Sequence, residues 1–340
     1  MTARSGKQFN GMSSRTEVHH PDPRLFGHIQ HTLVYQQALL SDRVRNQSFY
    51  KALKRYVRSD TSVLDIGSGT GVWAIAAAKL GASRVVAIEK EKVLIPLIEK
   101  LAARNGVQDR VQVLEGDSRN IRIRGKFDVI VSETVGNHGF DEQIVPIILD
   151  AKKRFLKSTG IVIPASVAAV AAPAHILGAS GNLPAGLDLE FKFLETLNLD
   201  VPRKISNHTQ VKMLAPPVRL AHVKLLEVKK APNLTDLSCK WRLRDASRLN
   251  CLIVWAEMLL AKGVSLHTIR HSKGWNPVCL PIKPFEKGPA TIECRITIEN
   301  HQYYWIVTHV KNGRREVQSH SPVFPYTVIQ AHNQMREQRK

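Results

Sequence analysis

The pattern of hydrophobic and polar positions divides the chain into a helical lead-in, a segment of alternating strands and helices, and a strand-rich remainder. Apolar residues recur at helical spacing over residues 35–58, which predicts one or two helices. Further on, short apolar runs alternate with helical patterns, and Gly81 and Gly106 follow two predicted helices, as expected at helix C termini. The predicted strands cover residues 62–66, 84–89, 111–114, 127–132 and 160–163, and the helices cover 72–80, 93–105 and 143–156. This alternation predicts an α/β domain with a mainly parallel, doubly wound sheet.

The pattern changes after Pro164, where strand-like runs separated by turn residues begin to dominate. They cover residues 166–172, 218–228, 249–260, 290–298 and 303–310, and they predict an all-β domain built as a barrel or sandwich. Residues 181–212 carry mixed helical signals and are expected to form an insertion or arm. We therefore predict four parts: a flexible N-terminal arm over residues 1–34, a first domain over 35–164, a β-barrel-like second domain over 165–330, and a charged tail over 331–340.

Composition points to an ordinary globular protein, with 43% hydrophobic and 23% charged residues. No apolar run reaches the roughly 20 residues that span a bilayer, so no membrane association is expected. The polar N terminus lacks the apolar core of a secretory signal. Four cysteines, Cys239, Cys251, Cys279 and Cys294, fit no zinc-binding spacing and are expected to be buried reduced thiols. These observations favour a cytoplasmic protein without a metal site.

The formal net charge is +20, and basic residues are in excess in both halves of the chain. A charge of this size favours acidic partners such as nucleic acid or an acidic protein. A generally basic, soluble surface explains the same number equally well. Charge alone therefore leaves RNA and an acidic partner open.

A glycine-rich loop, with Ser68 between its first two glycines, connects the first predicted strand to the helix that follows it. Gly67, Gly69 and Gly71 would allow a ligand to approach the backbone closely, and the helix N terminus offers free N–H groups. Asp65 lies in the leading strand, and Glu89 ends the next strand, where a carboxylate could accept both hydroxyls of a ribose. The spacing lacks the last glycine of the dinucleotide-binding loop. It suits S-adenosylmethionine (AdoMet), a nucleoside joined to an amino acid.

Two further groups of polar residues follow the third and fourth strands. Asp117 and Ser118 follow the third strand, where they could hold an adenine amino group. Glu133 follows the fourth strand and should lie beside a methyl donor, because ligands of such sheets bind at the carboxyl ends of strands. Glu142 comes after two glycines that allow the loop to fold back. Two neighbouring carboxylates repel each other unless a cation lies between them, and a guanidinium binds carboxylates with paired hydrogen bonds.

The same loop argues against two other chemistries. DNA and RNA amino-methyltransferases of this fold carry Asn/Asp-Pro-Pro-Tyr/Phe at this position, where the present chain has Ser-Glu-Thr-Val. Methylation of cytosine C5 needs a cysteine nucleophile, and the first domain contains no cysteine. A surface loop with acids at a helix start remains the plain alternative for Glu133 and Glu142.

In order along residues 35–310, the sequence resembles the protein arginine methyltransferase family. Residues 40–45 look like the family's helix before the sheet, and the resemblance assigns Arg45 to the AdoMet carboxylate. Residues 63–71 resemble the family's first motif. By the same resemblance, Glu89 is the ribose-binding acid, and Glu133 and Glu142 have the spacing of the family's paired glutamates. The implied fold is a class I AdoMet-dependent methyltransferase (Rossmann-like) domain followed by a β-barrel-like substrate domain.

The resemblance extends into the second half of the chain. Ile163-Pro164 matches the passage into the substrate domain, and residues 186–202 lie where the family has a dimerisation arm, which implies a homodimer. After Glu133, the loop over residues 133–142 (the glutamate loop) continues as Thr-Val-Gly-Asn where the family has Trp-Met-Gly-Tyr. In the second domain, Gly274 replaces a histidine before Trp275. Asn137 and Trp275 are expected walls of the acceptor pocket, and a place for Trp275 in the core of the second domain is an equally good interpretation. The resemblance also implies that Asp42 lacks its usual histidine partner.

Three functions remain open from the sequence. The first is AdoMet-dependent N-methylation of a guanidino group on a protein arginine or a small compound, with Glu133 and Glu142 as the clamp. The second is an RNA- or ribonucleoprotein-directed methyltransferase, which the net charge suggests. The third is a catalytically silent scaffold of the same fold, which the changes at residues 134–137 and 274 suggest.

Overall fold

A computed structural model describes residues 23–177, 192–206, 209–269, 274–299 and 302–323 of the chain. Two helices, α1 (Pro23–Ser41) and α2 (Arg43–Tyr56), precede a five-stranded parallel sheet with the order β3-β2-β1-β4-β5. Its strands are β1 (Ser62–Ile66), β2 (Arg84–Glu89), β3 (Val111–Glu115), β4 (Phe127–Ser132) and β5 (Leu156–Ile163). The helices between them are α3 (Val72–Lys79), α4 (Ile95–Arg104) and α5 (Ile144–Phe155). The predicted Rossmann-like sheet domain is confirmed.

The prediction of a flexible arm over residues 1–34 is wrong for its last part, because α1 begins at Pro23. Proline suits the first turn of a helix, where its fixed φ is already helical and its missing N–H would be unpaired in any case. The helix buries few side chains, among them Thr32 and Leu39, so its sequence lacks a strong apolar stripe. Residues 1–22 lie outside the described part of the chain.

The second domain consists of two antiparallel sheets, which confirms the all-β prediction. One has the order β10-β14-β15-β16, and the other β7-β13-β11-β6-β8, with β9 on β6 and β12 on β11. Their strands are β6 (Ser166–Ile176), β7 (Arg203–Lys204), β8 (Val211–Met213), β9 (Val218–Lys224), β10 (Asp236–Leu243), β11 (Cys251–Ala261), β12 (Val264–His267), β13 (Val278–Pro281), β14 (Ala290–Glu299), β15 (Gln302–Lys311) and β16 (Arg314–His320). A short helix, α6 (Lys192–Asn198), lies in the predicted arm. Residues 181–191 and 207–208 of that arm are outside the described part of the chain.

One hydrophobic core runs from the first domain into the second. It joins Phe49 and Leu53 of α2 and the buried strands β1 and β4 to Ala256, Met258 and Trp275 of the second domain. A second core, which includes Trp241 and Trp305, lies between the two antiparallel sheets. Because α2 also packs on β11 and β12, the strand ends of the parallel sheet are held in a fixed relation to the second domain.

The four cysteines are free, but they are not all buried as expected. Cys251, Cys279 and Cys294 are buried, whereas Cys239 is half-buried because it lies on β10, the edge strand of its sheet. Within the described residues, no helix has both the length and the apolar character needed to cross a membrane.

Candidate active site

A cavity of about 500 Å³ opens at the carboxyl-terminal edge of the parallel sheet. Its walls come from the loop after β1, the ends of β2, β3 and β4, and one face of α1. Parallel strands bring the residues that follow them to the same edge, so side chains far apart in sequence meet here. Of the predicted residues, the cavity is lined by Arg45, Gly67, Ser68, Gly69, Glu89, Asp117, Ser118, Glu133 and Glu142.

The glycine loop adopts a backbone that other residues rarely take. Gly67, Gly69 and Gly71 all have positive φ, at 71°, 57° and 75°. A Cβ at Gly67 would lie 2.7 Å from Cγ2 of Thr134, and one at Gly71 would lie 2.6 Å from Cγ2 of Ile98. The three glycines are therefore required by both conformation and space. Gly71 itself is the N-cap of α3 and does not line the cavity, so its predicted contact with a cofactor is corrected to a supporting role.

Glu89 is fixed at the end of β2 by three backbone N–H groups. Its Oε2 accepts from Gly69 N at 2.6 Å, and its Oε1 accepts from Lys90 N and Glu91 N at 2.8 and 2.9 Å. The residue is 6% exposed, and it lines the cavity. A carboxylate has about four lone-pair sites, so capacity remains for a ligand hydroxyl.

Asp65 was predicted to contact the cofactor, but it lies behind the loop and does not line the cavity. Its Oδ2 accepts from Ala74 N at 3.0 Å, and its main-chain oxygen accepts from the Ser68 hydroxyl at 3.1 Å. Burial raises the pKa of Asp65 to about 7, because β1 is covered along its whole length. Asp65 therefore holds the glycine loop against α3, and this role accounts for an acid at position 65 without any contact to a ligand.

Asp117 and Ser118 line the cavity after β3. The Asp117 carboxylate pairs with Arg119 at 2.6 Å, and this hydrogen bonding lowers the pKa of Asp117 to about 2. The main-chain oxygen of Ser118 accepts from Arg154 at 2.9 Å. Asp117 is therefore an ionised acceptor that shares its oxygens with Arg119.

Glu133 holds the guanidinium of Arg45 inside the protein. Both residues are almost fully buried, with side chains 8% and 4% exposed, and both Nε and Nη2 of Arg45 donate to Oε2 of Glu133. Burial raises the pKa of Glu133, although Arg45 acts in the opposite direction. The guanidinium also lies 5.1 Å from the ring centroid of Trp73 and 5.6 Å from that of Trp275. Trp275 is thus a buried neighbour of Arg45, and the prediction that it lines the acceptor pocket is corrected.

Glu142 lies in the same cavity. Burial, followed by the charges of Glu133 and Asp141, raises the pKa of Glu142 to about 8. Tyr35 of α1 lines the cavity too, and burial together with the charges of Glu142 and Glu133 raises the pKa of this phenol. The sequence pattern of α1 did not single out Tyr35, because only the folded helix brings it to the strand ends.

Two contacts connect the glutamate loop and α2 to the second domain. Oδ1 of Asn137 accepts from Asn276 N at 3.1 Å, so Asn137 supports the loop and does not line the cavity as predicted. Asp42 accepts from Gly274 N at 2.7 Å and from Arg45 N at 3.0 Å. A Cβ at Gly274 would lie 3.0 Å from Leu39 Cδ2. The glycine therefore lets its own backbone serve as the partner that Asp42 was expected to lack.

A family model described as ribosomal protein L11 methyltransferase (PrmA) matches residues 47–165. Protein arginine N-methyltransferase PRMT10 of Arabidopsis thaliana is 36% identical over 135 residues, or 39% of this chain and 35% of that protein. An arginine N(omega)-methyltransferase of Streptomyces achromogenes subsp. streptozoticus is 34% identical over 133 residues, or 38% of this chain and 37% of that protein. The matches thus span about a third of the curated relatives' length.

The likeness in fold extends over most of the chain. It covers 86% of this chain and 98% of a chain in the Trypanosoma brucei PRMT1 enzyme-prozyme heterotetrameric complex with AdoHcy, with a TM-score of 0.70 and 18% identity. The crystal structure of Arabidopsis thaliana protein arginine methyltransferase 10 matches with a TM-score of 0.69 and 20% identity, covering 85% of this chain and 98% of that one. The order of a parallel-sheet domain followed by antiparallel sheets is common to all three.

Proposed function

We propose that the chain is a member of the protein arginine N-methyltransferase family and an AdoMet-dependent enzyme that methylates a nitrogen of a guanidino group. The observation that carries this proposal is the pair of carboxylates, Glu133 and Glu142, that line one cavity beside the glycine loop. Glu133 already binds one guanidinium, that of Arg45, and Glu142 lacks comparable neutralisation, as its raised pKa indicates. A second guanidinium would supply that charge.

The cavity suits AdoMet in size and in the chemistry of its walls. Its volume of about 500 Å³ lies in the usual range for small-molecule sites. In this proposal the loop at residues 67–70 receives the amino-acid part, Arg45 its carboxylate, Glu89 the ribose hydroxyls, and Asp117 with Ser118 the adenine edge. When bound, AdoMet supplies an electrophilic methyl group on its sulfonium. Lys90 and Arg119 also line the cavity, so the ligand would meet both signs of charge.

The two glutamates would orient the acceptor and concentrate its positive charge away from the attacking nitrogen. Both described bonds from Arg45 to Glu133 use Oε2, which leaves Oε1 for the acceptor. Glu142, whose pKa is raised to about 8, would release its proton to solvent as the guanidinium enters. Proximity and preorganised charge, which are the main sources of rate in such a transfer, would then both come from this pair.

The acceptor could be a protein arginine or a small guanidino compound. The relatives' names include both a protein arginine N-methyltransferase and an arginine N(omega)-methyltransferase. A chain with a net charge of +20 would repel arginine-rich tails at long range, which favours a less basic acceptor or an acidic partner that delivers it.

Transfer of labelled methyl from AdoMet to two acceptor pools tests the proposal. One pool holds arginine-bearing proteins and the other free guanidino compounds, and Glu133→Gln is assayed in parallel. We expect label in one pool, lost in the variant, because the clamp needs both carboxylates. The absence of label from both pools, with AdoHcy binding intact, would favour the silent scaffold. If the labelled methyl group is found in RNA instead, the result would favour an RNA- or ribonucleoprotein-directed methyltransferase.

The proposal includes a homodimer in the cytoplasm. Within the predicted arm, the adjacent residues Phe193 and Leu194 are 60% and 46% exposed, which is unusual for neighbouring large apolar residues in a monomer, and Leu177, before the arm in sequence, is 67% exposed. The free cysteines suit a reducing compartment.

Sedimentation of the wild type and of a Phe193→Asp/Leu194→Asp variant tests the dimer. We expect a dimer that becomes a monomer in the variant, because each substitution places a charge in an apolar contact. The control is Val317→Asp, which changes an equally exposed residue on β16 and should leave the dimer intact. A wild type that sediments as a monomer at micromolar concentration would contradict the prediction.

A further inference from the structure

A buried hydrogen bond joins the glutamate loop to the second domain. The phenolic oxygen of Tyr303, on β15, lies 2.8 Å from Nδ1 of His138 in the loop. Their rings meet edge to face, with centroids 5.4 Å apart, and the two residues are 8% and 2% exposed. A buried polar group without a hydrogen-bond partner costs free energy, so this bond holds the glutamate loop against the second domain.

His138 also contacts Asp141, the residue before Glu142. The same Nδ1 lies 3.2 Å from Oδ1 of Asp141, which also accepts from His138 N at 3.4 Å, while its Oδ2 accepts from Asn137 N at 2.9 Å. Although burial acts to raise it, these contacts hold the pKa of Asp141 below its usual value. Gly136 makes room for this carboxylate, because a Cβ there would lie 1.9 Å from Oδ1. The backbone of residues 136–140 thus folds around the Asp141 carboxylate, and Glu142 is the next residue in the chain.

We propose that Tyr303 and His138 are positioning residues that fix the site of Glu142, an inference that rests on the proposed function. β15 supports Tyr303, because the residue is paired with Ile298 of β14 and the strand is also paired with β16 from Trp305 onward. The loop between β4 and α5 has no strand partner of its own, so its shape depends on side-chain contacts. A catalytic group held by a loop needs such support to stay within a fraction of an ångström of its working place.

The surroundings of Glu142 provide a way to detect a displacement. It is acted on by Glu133 and Asp141 of its own loop, by Lys90 after β2 and by Lys204 of β7, and its charge also acts on Tyr35 of α1. Release of the loop would increase the distance of the Glu142 carboxylate from those of Glu133 and Asp141. Weaker repulsion favours the ionised carboxylate, so the midpoint of its titration would move to lower pH.

The kinetic test compares Tyr303→Phe with Tyr304→Phe on the same strand. We expect the first to lower kcat about tenfold to hundredfold, because a small misplacement of a catalytic group has effects of that size. Affinity for AdoHcy should be unchanged in both variants, and Tyr304→Phe should match the wild type. A kcat and an acceptor KM within twofold of the wild type in Tyr303→Phe would overturn the inference.

A second measurement needs no activity. The difference in Tm between the wild type and Glu142→Gln, followed over a pH series, reports where Glu142 ionises. We expect its midpoint to fall by about half a pH unit or more in the Tyr303→Phe background and to stay in place with Tyr304→Phe. His138→Asn, which keeps a polar atom near the Nδ1 position, serves if Tyr303→Phe does not fold. An unmoved midpoint would refute the positioning role, whereas a moved midpoint in a protein without transferase activity would refute the proposed function alone.

Discussion

Replacement of Glu142 by Gln is expected to lower methyl transfer to a guanidino acceptor by about two to three orders of magnitude. The amide has nearly the same shape, but it cannot bear the charge that orients a guanidinium and balances it in the transition state. The binding of AdoHcy should change little, because Glu89 is held by the backbone N–H groups of Gly69, Lys90 and Glu91 and does not depend on this side chain. Steady-state kinetics and calorimetric titration with AdoHcy separate the two effects. The control is Glu99→Gln on the exposed side of α4, which should match the wild type.

The same carboxyl group determines how acceptor binding depends on pH. Because the pKa of Glu142 is about 8 in the folded protein, above its ordinary value of 4.5, the group is mostly protonated at neutral pH. Acceptor KM should therefore fall as pH rises through about 8. Acceptor affinity thus increases with pH, whereas the contribution of Glu142 to folding stability decreases. That contribution is greatest below the ordinary pKa, and it is lost as pH rises through the folded pKa. Glu142→Gln should remove both dependences. A pH profile that persists in the variant would assign it to another group.

Replacement of Arg45 by Met is expected to destabilise the fold by about 3–5 kcal/mol, the usual effect of leaving a buried carboxylate without its partner. Arg45 and Glu133 are almost completely buried together, and Arg45 also lies against two tryptophan rings. Without the guanidinium, the pKa of Glu133 should rise further than burial alone already raises it. The loss of stability should therefore grow as pH increases. Urea unfolding at several pH values measures it.

Two further variants separate charge from packing at this position. Arg43→Met, on the exposed side of the same helix, should change stability by no more than about 0.5 kcal/mol. Adding Glu133→Gln to Arg45→Met should recover most of the lost stability, because the unpaired charge is gone, without restoring methyl transfer. A double variant as unstable as Arg45→Met alone would mean that the packing of Arg45 between the tryptophans carries the effect.

The parallel sheet and the glycine loop could be predicted because their signals are local. Strands buried on both faces are apolar runs, and the positive φ of Gly67, Gly69 and Gly71 leaves little choice of residue. The ends of β2 and β4 then bring Glu89 and Glu133 to one edge, which follows from parallel order alone. The cavity and most of its polar walls were therefore accessible from the sequence.

Contacts between distant segments left no such signal. Arg45 and Glu133 are 88 residues apart in sequence, and Tyr303 and His138 are 165 residues apart. Similarity of motif named Trp275 and Asn137 as pocket walls, whereas neither lines the cavity, because only packing decides whether a residue faces the cavity or lies behind it. Strands β10 and β16 were missed because both lie at a sheet edge: polar residues alternate with buried ones in β10, and β16 is exposed over most of its length.

The core that continues from the first domain into the second bears on how such proteins diversify. Trp275, Ala256 and Met258 of the second domain lie in the same cluster as the residues beneath the cofactor loop. A graft of another second domain onto this sheet would expose that cluster and remove the neighbours of Arg45. The two halves are therefore not interchangeable modules, and a change of acceptor is more readily reached by substitutions in place than by recombination.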